Sequence, residues 1–199
     1  ELHQPAASGL GMYSLVFDAY GLGHYIEYLP NGELSLSHGG QGTGIMTHLQ
    51  FVPETGDGIV ILTNSQRSWP FIACVLGDWA KWSGLNSVGM GRIVWGQYAL
   101  WAVIGIVWVL VLLQFARLAE GIITKTRCFA PFAKRSQFLR IVEAGLFIAL
   151  SAVLVWWATR SYTFISSVFP IASVWLAITM AVCACALLLS ALFPKQASV

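Results

Sequence analysis

"LSHGGQGTGIMTHLQFVPETGDGIVILTNS", residues 36–65, sets His38 among Gly39, Gly40, Gly42 and Gly44 and then reads as two apolar strands. Glycine weakens a strand, so a cluster of it there marks a bend or a close backbone approach. Working outward, "IMTHLQFV", Ile45–Val52, meets the turn "PETGDG", and "GIVILTN" follows over residues 58–64. Upstream, "GLGHYIEY" (21–28) runs through Pro30-Asn31-Gly32, a tight-turn signal, into "ELSLS" (33–37). Strands joined in sequence by tight turns predict an antiparallel meander of three to four strands.

"TNSQRS" then leads into "WPFIACVLGDWAKWSG", where Trp69, Ile72, Leu76 and Trp79 recur at helical spacing. Ser68 is the expected N-cap and Gly84 the expected end. The fold class expected for this half is α+β. One such sheet with one helix buries little core, so one face of the sheet is expected to want cover from elsewhere. "GLNSVGMGR" (84–92) reads as a flexible linker.

The rest of the chain differs in kind. Residues 1–93 carry three basic against seven acidic side chains, a net of −4, whereas residues 94–199 carry eight against two, a net of +6. With 57% hydrophobic and 10% charged residues overall, the composition departs from soluble usage. Three apolar runs, 94–116, 141–159 and 168–193, are long enough to cross a bilayer, the last with Pro170 near its start. Trp95, Tyr98, Trp101, Trp156, Trp157 and Tyr162 gather near their ends, as interface residues do.

The loop between the first two runs holds Arg117, Lys125, Arg127, Lys134, Arg135 and Arg140 against Glu120. The positive-inside rule puts that loop and the C-terminus, with Lys195, in the cytoplasm and residues 1–93 outside it. The chain is thus expected in a cell membrane as a multi-pass protein. Its domains would be 1–84, a linker over 85–93 and a membrane domain over 94–199. Spans fence the basic residues, which argues against nucleic acid as a partner. Glu143, one turn after Arg140, reads as an interfacial ion pair.

Cys183 and Cys185 face different ways on a helix, Cys128 would be cytoplasmic and reduced, and Cys74 reads as a small core residue. His24 and His48 read as strand decoration, His3 as part of an unstructured terminus, and no metal or other cofactor is implied. The chain opens "ELHQPAASGLGMYS", without an export signal, so further sequence is expected before Glu1.

The block from "GLGHYIEY" through "LSHGGQGTG", "PETG" and "GIVILTNS" to the helix resembles the C-terminal end of the serine β-lactamase and penicillin-binding-protein-like superfamily, on the class C side. The likeness covers roughly residues 15–84 and rests on strand order and spacing as well as on His38-Gly39-Gly40, which stands where that family carries Lys-Thr-Gly or His-x-Gly. The resemblance implies an inner-edge strand lining an acylation site. His38 would tune electrostatics and orient substrate, and Gly39, Gly40 and Gly42 would let it lie along the strand. The backbone N–H of Gln41 would give half of an oxyanion hole.

The family's Ser-x-x-Lys and its Tyr-x-Asn or Ser-x-Asn motifs occur nowhere in the chain, nor does Gly-x-Ser-x-Gly. Gly39 also replaces a hydroxyl residue that often holds a substrate carboxylate. The resemblance therefore implies a fragment of a membrane-anchored serine hydrolase, acting on a peptide-like or acyl substrate through an acyl-enzyme. Its partners would be the missing N-terminal hydrolase portion and membrane lipid. The three-helix anchor also resembles periplasmic peptidases that trim acylated precursors of peptide-derived natural products. The competing expectations are a non-catalytic hydrolase-like sensor or binding module, and a structural membrane subunit.

Overall fold

The computed structural model describes residues 3–131, 137–160 and 163–195. Lys134 and Arg135 of the basic loop and Tyr162 of the aromatic set lie outside the described residues. The chain divides into two compact units: residues up to Ala99 with Phe164–Pro170, and Leu100–Thr163 with Ile171–Val199.

The first unit is α+β. A 3-10 helix, Gly11–Leu15, precedes strands β1 (Ala19–Tyr20), β2 (Tyr25–Tyr28), β3 (Leu34–Gly42), β4 (Ile45–Val52) and β5 (Asp57–Thr63), then helix α1 (Trp69–Trp82). The five strands form one antiparallel sheet in chain order, a meander with one strand more than expected. β1 spans only two residues, too few to show alternation. Gly32, at φ 90°, makes the β2–β3 turn, where Asn31 Oδ1 accepts the Glu33 N–H at 3.1 Å.

Helix α1 lays Ile72, Ala73, Leu76, Trp79 and Ala80 on one sheet face, against Met46, Val52 and Ile61. A second, smaller cluster of Ala19, Ile26 and Leu36 occupies the other face toward β1. Ser68 stands at the N-cap of α1, but its hydroxyl is turned back to donate to the Ser65 carbonyl at 2.9 Å and makes no cap bond. Pro70 in the first turn has no N–H to be capped. Cys74 is exposed, because the buried stripe of α1 runs through positions 72, 73, 76, 79 and 80 and leaves 74 outside it.

The segment expected as a flexible linker is packed. Leu85, Val88 and Met90 are buried in the main core, and Asn86 sits at φ 63°. His3 likewise lies ring to ring with His24, at 5.3 Å, and with Phe51.

Among the described residues three helices are long and apolar enough to cross a membrane: α2 (Gly91–Ile123), α3 (Gln137–Ala158) and α5 (Pro170–Leu192), with mean hydropathies of 2.4, 2.1 and 2.3. A short helix α4 (Phe164–Val168) precedes α5, whose first residue is Pro170, as suits a residue lacking its N–H. α2 outruns the uncharged stretch at both ends, since Arg92, Arg117 and Glu120 continue a helix even where they end a hydropathy run.

Within the second unit Gln114 donates to Ser190 Oγ, Arg127 to the Phe193 carbonyl at 3.0 Å, and Arg140 to the Ala191 carbonyl at 2.9 Å. Small residues Ala184, Ala186, Ser190 and Ala191 are the buried positions late in α5, which lets a neighbouring backbone come close. Gln114→Leu should loosen this pairing by about 0.6 to 1 kcal/mol, read as a lower thermal midpoint in detergent. An unchanged midpoint would show the contact to be energetically idle.

Candidate functional site

β2 pairs with β3 from Tyr28↔Leu34 to Tyr25↔Ser37 and ends there, while β3 continues against β4 to Gly42↔Ile45. From His38 onward one edge of β3 has no strand beside it among the described residues. β3 is therefore a central strand at its start and an edge strand at its glycine-rich end, rather than an edge strand throughout.

Backbone parity decides which groups face that opening. The Ile26 carbonyl accepts the Asp18 N–H at 3.0 Å and so points away from β3. The Gly40 N–H donates to Thr47 Oγ1 on β4 at 3.1 Å. Alternation along an antiparallel strand then turns the N–H groups of Gly39 and Gln41 toward the open edge.

The same alternation sorts the side chains. Ser35, Ser37 and Gln41 share a face with Met46, His48, Gln50 and Val52, the face covered by α1. His38 springs from the opposite face and is exposed, with its ring 6.4 Å from that of Tyr25. Gln41 is held by its amide, which donates to the Gln66 carbonyl at 3.1 Å and to Ser167 Oγ at 3.0 Å.

Gly39, Gly40 and Gln41 line a cavity of about 110 Å³ together with Tyr25, Thr47 and His48. His38 and Gly42 lie on the same strand but outside its lining.

Glycine at position 40 has a reason inside the protein. A Cβ there would fall 2.7 Å from Thr47 Oγ1, the group its own N–H contacts. Gly56, by contrast, has open space but a φ of 76°, so any side chain there is strained as well. Gly77, in α1 with nothing within 4 Å, is the clean comparison. Gly40→Ala should weaken the β3–β4 pairing by about 1 kcal/mol, as for a lost hydrogen bond, and Gly77→Ala should not. Equal amide-exchange protection of β4 in the two variants would show that Thr47 simply rotates aside.

His48 is the residue that strand-level reading passed over. It is 4% exposed and its Nε2 lies 3.3 Å from Gln50 Oε1, while Gln50 Nε2 donates to Ser35 Oγ at 2.8 Å. With the Gln50 amide so placed, His48 Nε2–H donates and Nδ1 is left as an acceptor 3.7 Å from where a Gly39 Cβ would stand. Burial pulls the imidazole below its ordinary range, against the Gln50 hydrogen bond, and His38 repels the charged form further. His48 is thus a neutral base in the cavity wall.

Glu27 is a second group without a sequence signal. It is 7% exposed on β2, and its Oε1 accepts the Gly89 N–H. Burial chiefly, with help from the Asp18 charge, pushes its carboxyl up to about 7 against the opposing pull of Gly89 and Arg92.

Among the described residues no three His, Cys, Asp or Glu side chains are placed to hold a metal ion. Set against known protein families, curated proteins and solved structures, the chain matches none of them.

Proposed function

We propose that the chain is the C-terminal part of a membrane-anchored, extracytoplasmic serine hydrolase of the β-lactamase and penicillin-binding type. It cleaves amide or ester bonds through an acyl-enzyme, with the nucleophile supplied by sequence outside these 199 residues. The observation that carries this reading is the open edge of β3. There the Gln41 N–H is turned to the edge that β2 leaves open, where a developing oxyanion would bind, with His38 on the same strand and no side chain at Gly39 or Gly40.

The uncovered sheet face supports it. Leu49, Val60 and Leu62 sit on the side away from α1 and are 43%, 64% and 76% exposed. They adjoin His38 through the pairs His38↔Leu49 and Leu49↔Val60. An apolar face of this kind wants a partner, and a nucleophile-bearing lobe resting on it would close the site. The membrane helices retain the enzyme at the membrane, with the C-terminus cytoplasmic.

A second reading, a non-catalytic sensor, is favoured by one contact. The Gln41 amide ties the strand edge to Ser167 on α4, immediately before the span α5.

The test is a serine-directed fluorophosphonate or penicillin probe on the full-length product. The hydrolase is expected to label, and His38→Ala to slow labelling on the order of 10²-fold with the fold intact. An intact, folded precursor that takes no label sinks the hydrolase and leaves the sensor.

A further inference from the structure

A larger cavity of about 560 Å³ lies in the first unit, away from the glycine strand. Its wall brings charges of both signs together with aromatic rings. Asp18 and Glu27 contribute from the sheet side, Lys81 from α1, and Arg92, Trp95 and Tyr98 from the first turns of α2.

Three of these groups, Asp18, Glu27 and Arg92, are held by hydrogen bonds. Asp18 Oδ2 accepts the Tyr28 N–H at 2.8 Å, and Glu27 accepts that of Gly89. Arg92 Nη1 donates to the Leu15 carbonyl at 3.2 Å, which fixes the guanidinium and leaves further N–H groups of its fork for a ligand. Trp95 and Tyr98 are 75% and 62% exposed.

The place of the cavity along α2 gives the ligand's origin. At about 1.5 Å per residue, the 33 residues of α2 exceed a hydrocarbon core of about 30 Å. Arg92 precedes the uncharged run 94–116, and Trp95 and Tyr98 fall in that run's first turns. A tryptophan and a tyrosine so placed are interface residues, and the cavity that they line opens at headgroup level.

We infer that this cavity takes the headgroup of an aminophospholipid, its primary ammonium against Glu27 and Asp18 and its phosphodiester against Arg92, with Trp95 and Tyr98 flanking. Burial holds the Glu27 carboxyl up to about 7 despite the pull of Arg92, and an ammonium docked against it would stabilise the charged form. A guanidinium with free N–H groups is the matching phosphate donor. Trp95 offers a ring face to the ammonium as well. This inference is independent of the hydrolase reading.

The experiment titrates the full chain in mild detergent with dioleoyl phosphatidylethanolamine, phosphatidylcholine and phosphatidylglycerol, followed by native mass spectrometry. Free phosphoethanolamine serves as competitor. Phosphatidylethanolamine is expected to bind at least tenfold tighter than either other lipid. Glu27→Gln should remove that preference, and Arg92→Gln should weaken all three lipids. Trp95→Ala, at an exposed position that leaves the core untouched, should lower phosphatidylethanolamine binding several-fold.

Equal binding of phosphatidylcholine and phosphatidylethanolamine would overturn recognition of the ammonium. Displacement by free phosphoethanolamine at concentrations equal to the lipid would assign the site to a soluble ligand and overturn the lipid source. Binding of all three lipids unaffected by Glu27→Gln and Trp95→Ala would mean annular lipid only.

Discussion

Glu27→Gln should stabilise the sheet unit by about 3 kcal/mol at pH 8 and change it little at pH 4. The carboxyl releases its proton near 4.5 when it is free in solution and near 7 when buried in the native state. Between those two values the folded chain therefore binds more protons than the unfolded one. Stability is fully present below about 4.5, falls as pH rises and levels off above about 7. Glutamine keeps an oxygen for the Gly89 N–H while removing the charge that burial penalises, so the gain appears only where Glu27 would be ionised.

His48 works in the opposite sense. Its proton is held less tightly when folded, so its contribution is lost as pH falls below the ordinary histidine range. Wild-type stability thus reflects two opposed slopes. Glu27→Gln should expose the histidine slope alone, with stability rising toward neutral pH. Amide-exchange protection of β3 and β4 against pH reads this directly. A wild-type and a variant curve that run parallel from pH 4 to pH 8 would refute the assignment of Glu27.

The outline of the fold was legible because its turns are chemically explicit. Pro30-Asn31-Gly32 and the "PETGDG" stretch bracket the strands β2 to β5, and the spacing of Ile72, Leu76 and Trp79 gives α1 its buried stripe. The facing of the sheet was not legible, for a reason visible in β4. Its odd positions are Ile45, Thr47, Leu49 and Phe51, and its even ones Met46, His48, Gln50 and Val52. Hydrophobicity favours the odd set for a core, yet the even set is buried beneath α1 while Ile45 and Leu49 stand exposed. The buried set holds a polar ladder, Ser35–Gln50–His48, that satisfies itself through hydrogen bonds and so tolerates burial.

That inversion is also what hid His48, since a histidine on the apparently polar face invites no attention. Glu27 was hidden differently. Its partner Gly89 is 62 residues away, in a stretch whose Gly, Ser and Asn content mimics a linker. Among the proposed site residues, His38, Gly39, Gly40, Gln41 and Gly42 fall on one strand, as their adjacency requires. The open edge beside them depends on where β2 stops, which no residue in "GLGHYIEY" announces.

Gly89→Ala should destabilise the sheet unit by 3 kcal/mol or more, whereas Gly77→Ala should stabilise it by about 0.5 to 1 kcal/mol. The substitution is the same at both sites and the physics is opposite. In α1, Gly77 has open space around its missing side chain, so alanine only lowers the freedom of the unfolded chain and raises helix propensity. At Gly89 a Cβ would be driven into the Val16 carbonyl oxygen and would also crowd Glu27 Oε1 at 3.2 Å. Carbonyl oxygen on backbone cannot rotate away as a side chain can. The 88–90 segment must move instead, which withdraws the Gly89 N–H from Glu27 and pulls Val88 and Met90, 4% and 1% exposed, out of the core. A buried carboxyl stripped of its donor and two unpacked core residues each cost on the order of 1 to 3 kcal/mol. Thermal unfolding of both variants in detergent, followed through the tryptophans of α1, separates the cases. Should Gly89→Ala unfold within about 1 kcal/mol of the parent protein, residues 84–92 would after all be the slack tether that their composition suggests, and the seat of Glu27 would have to be redrawn.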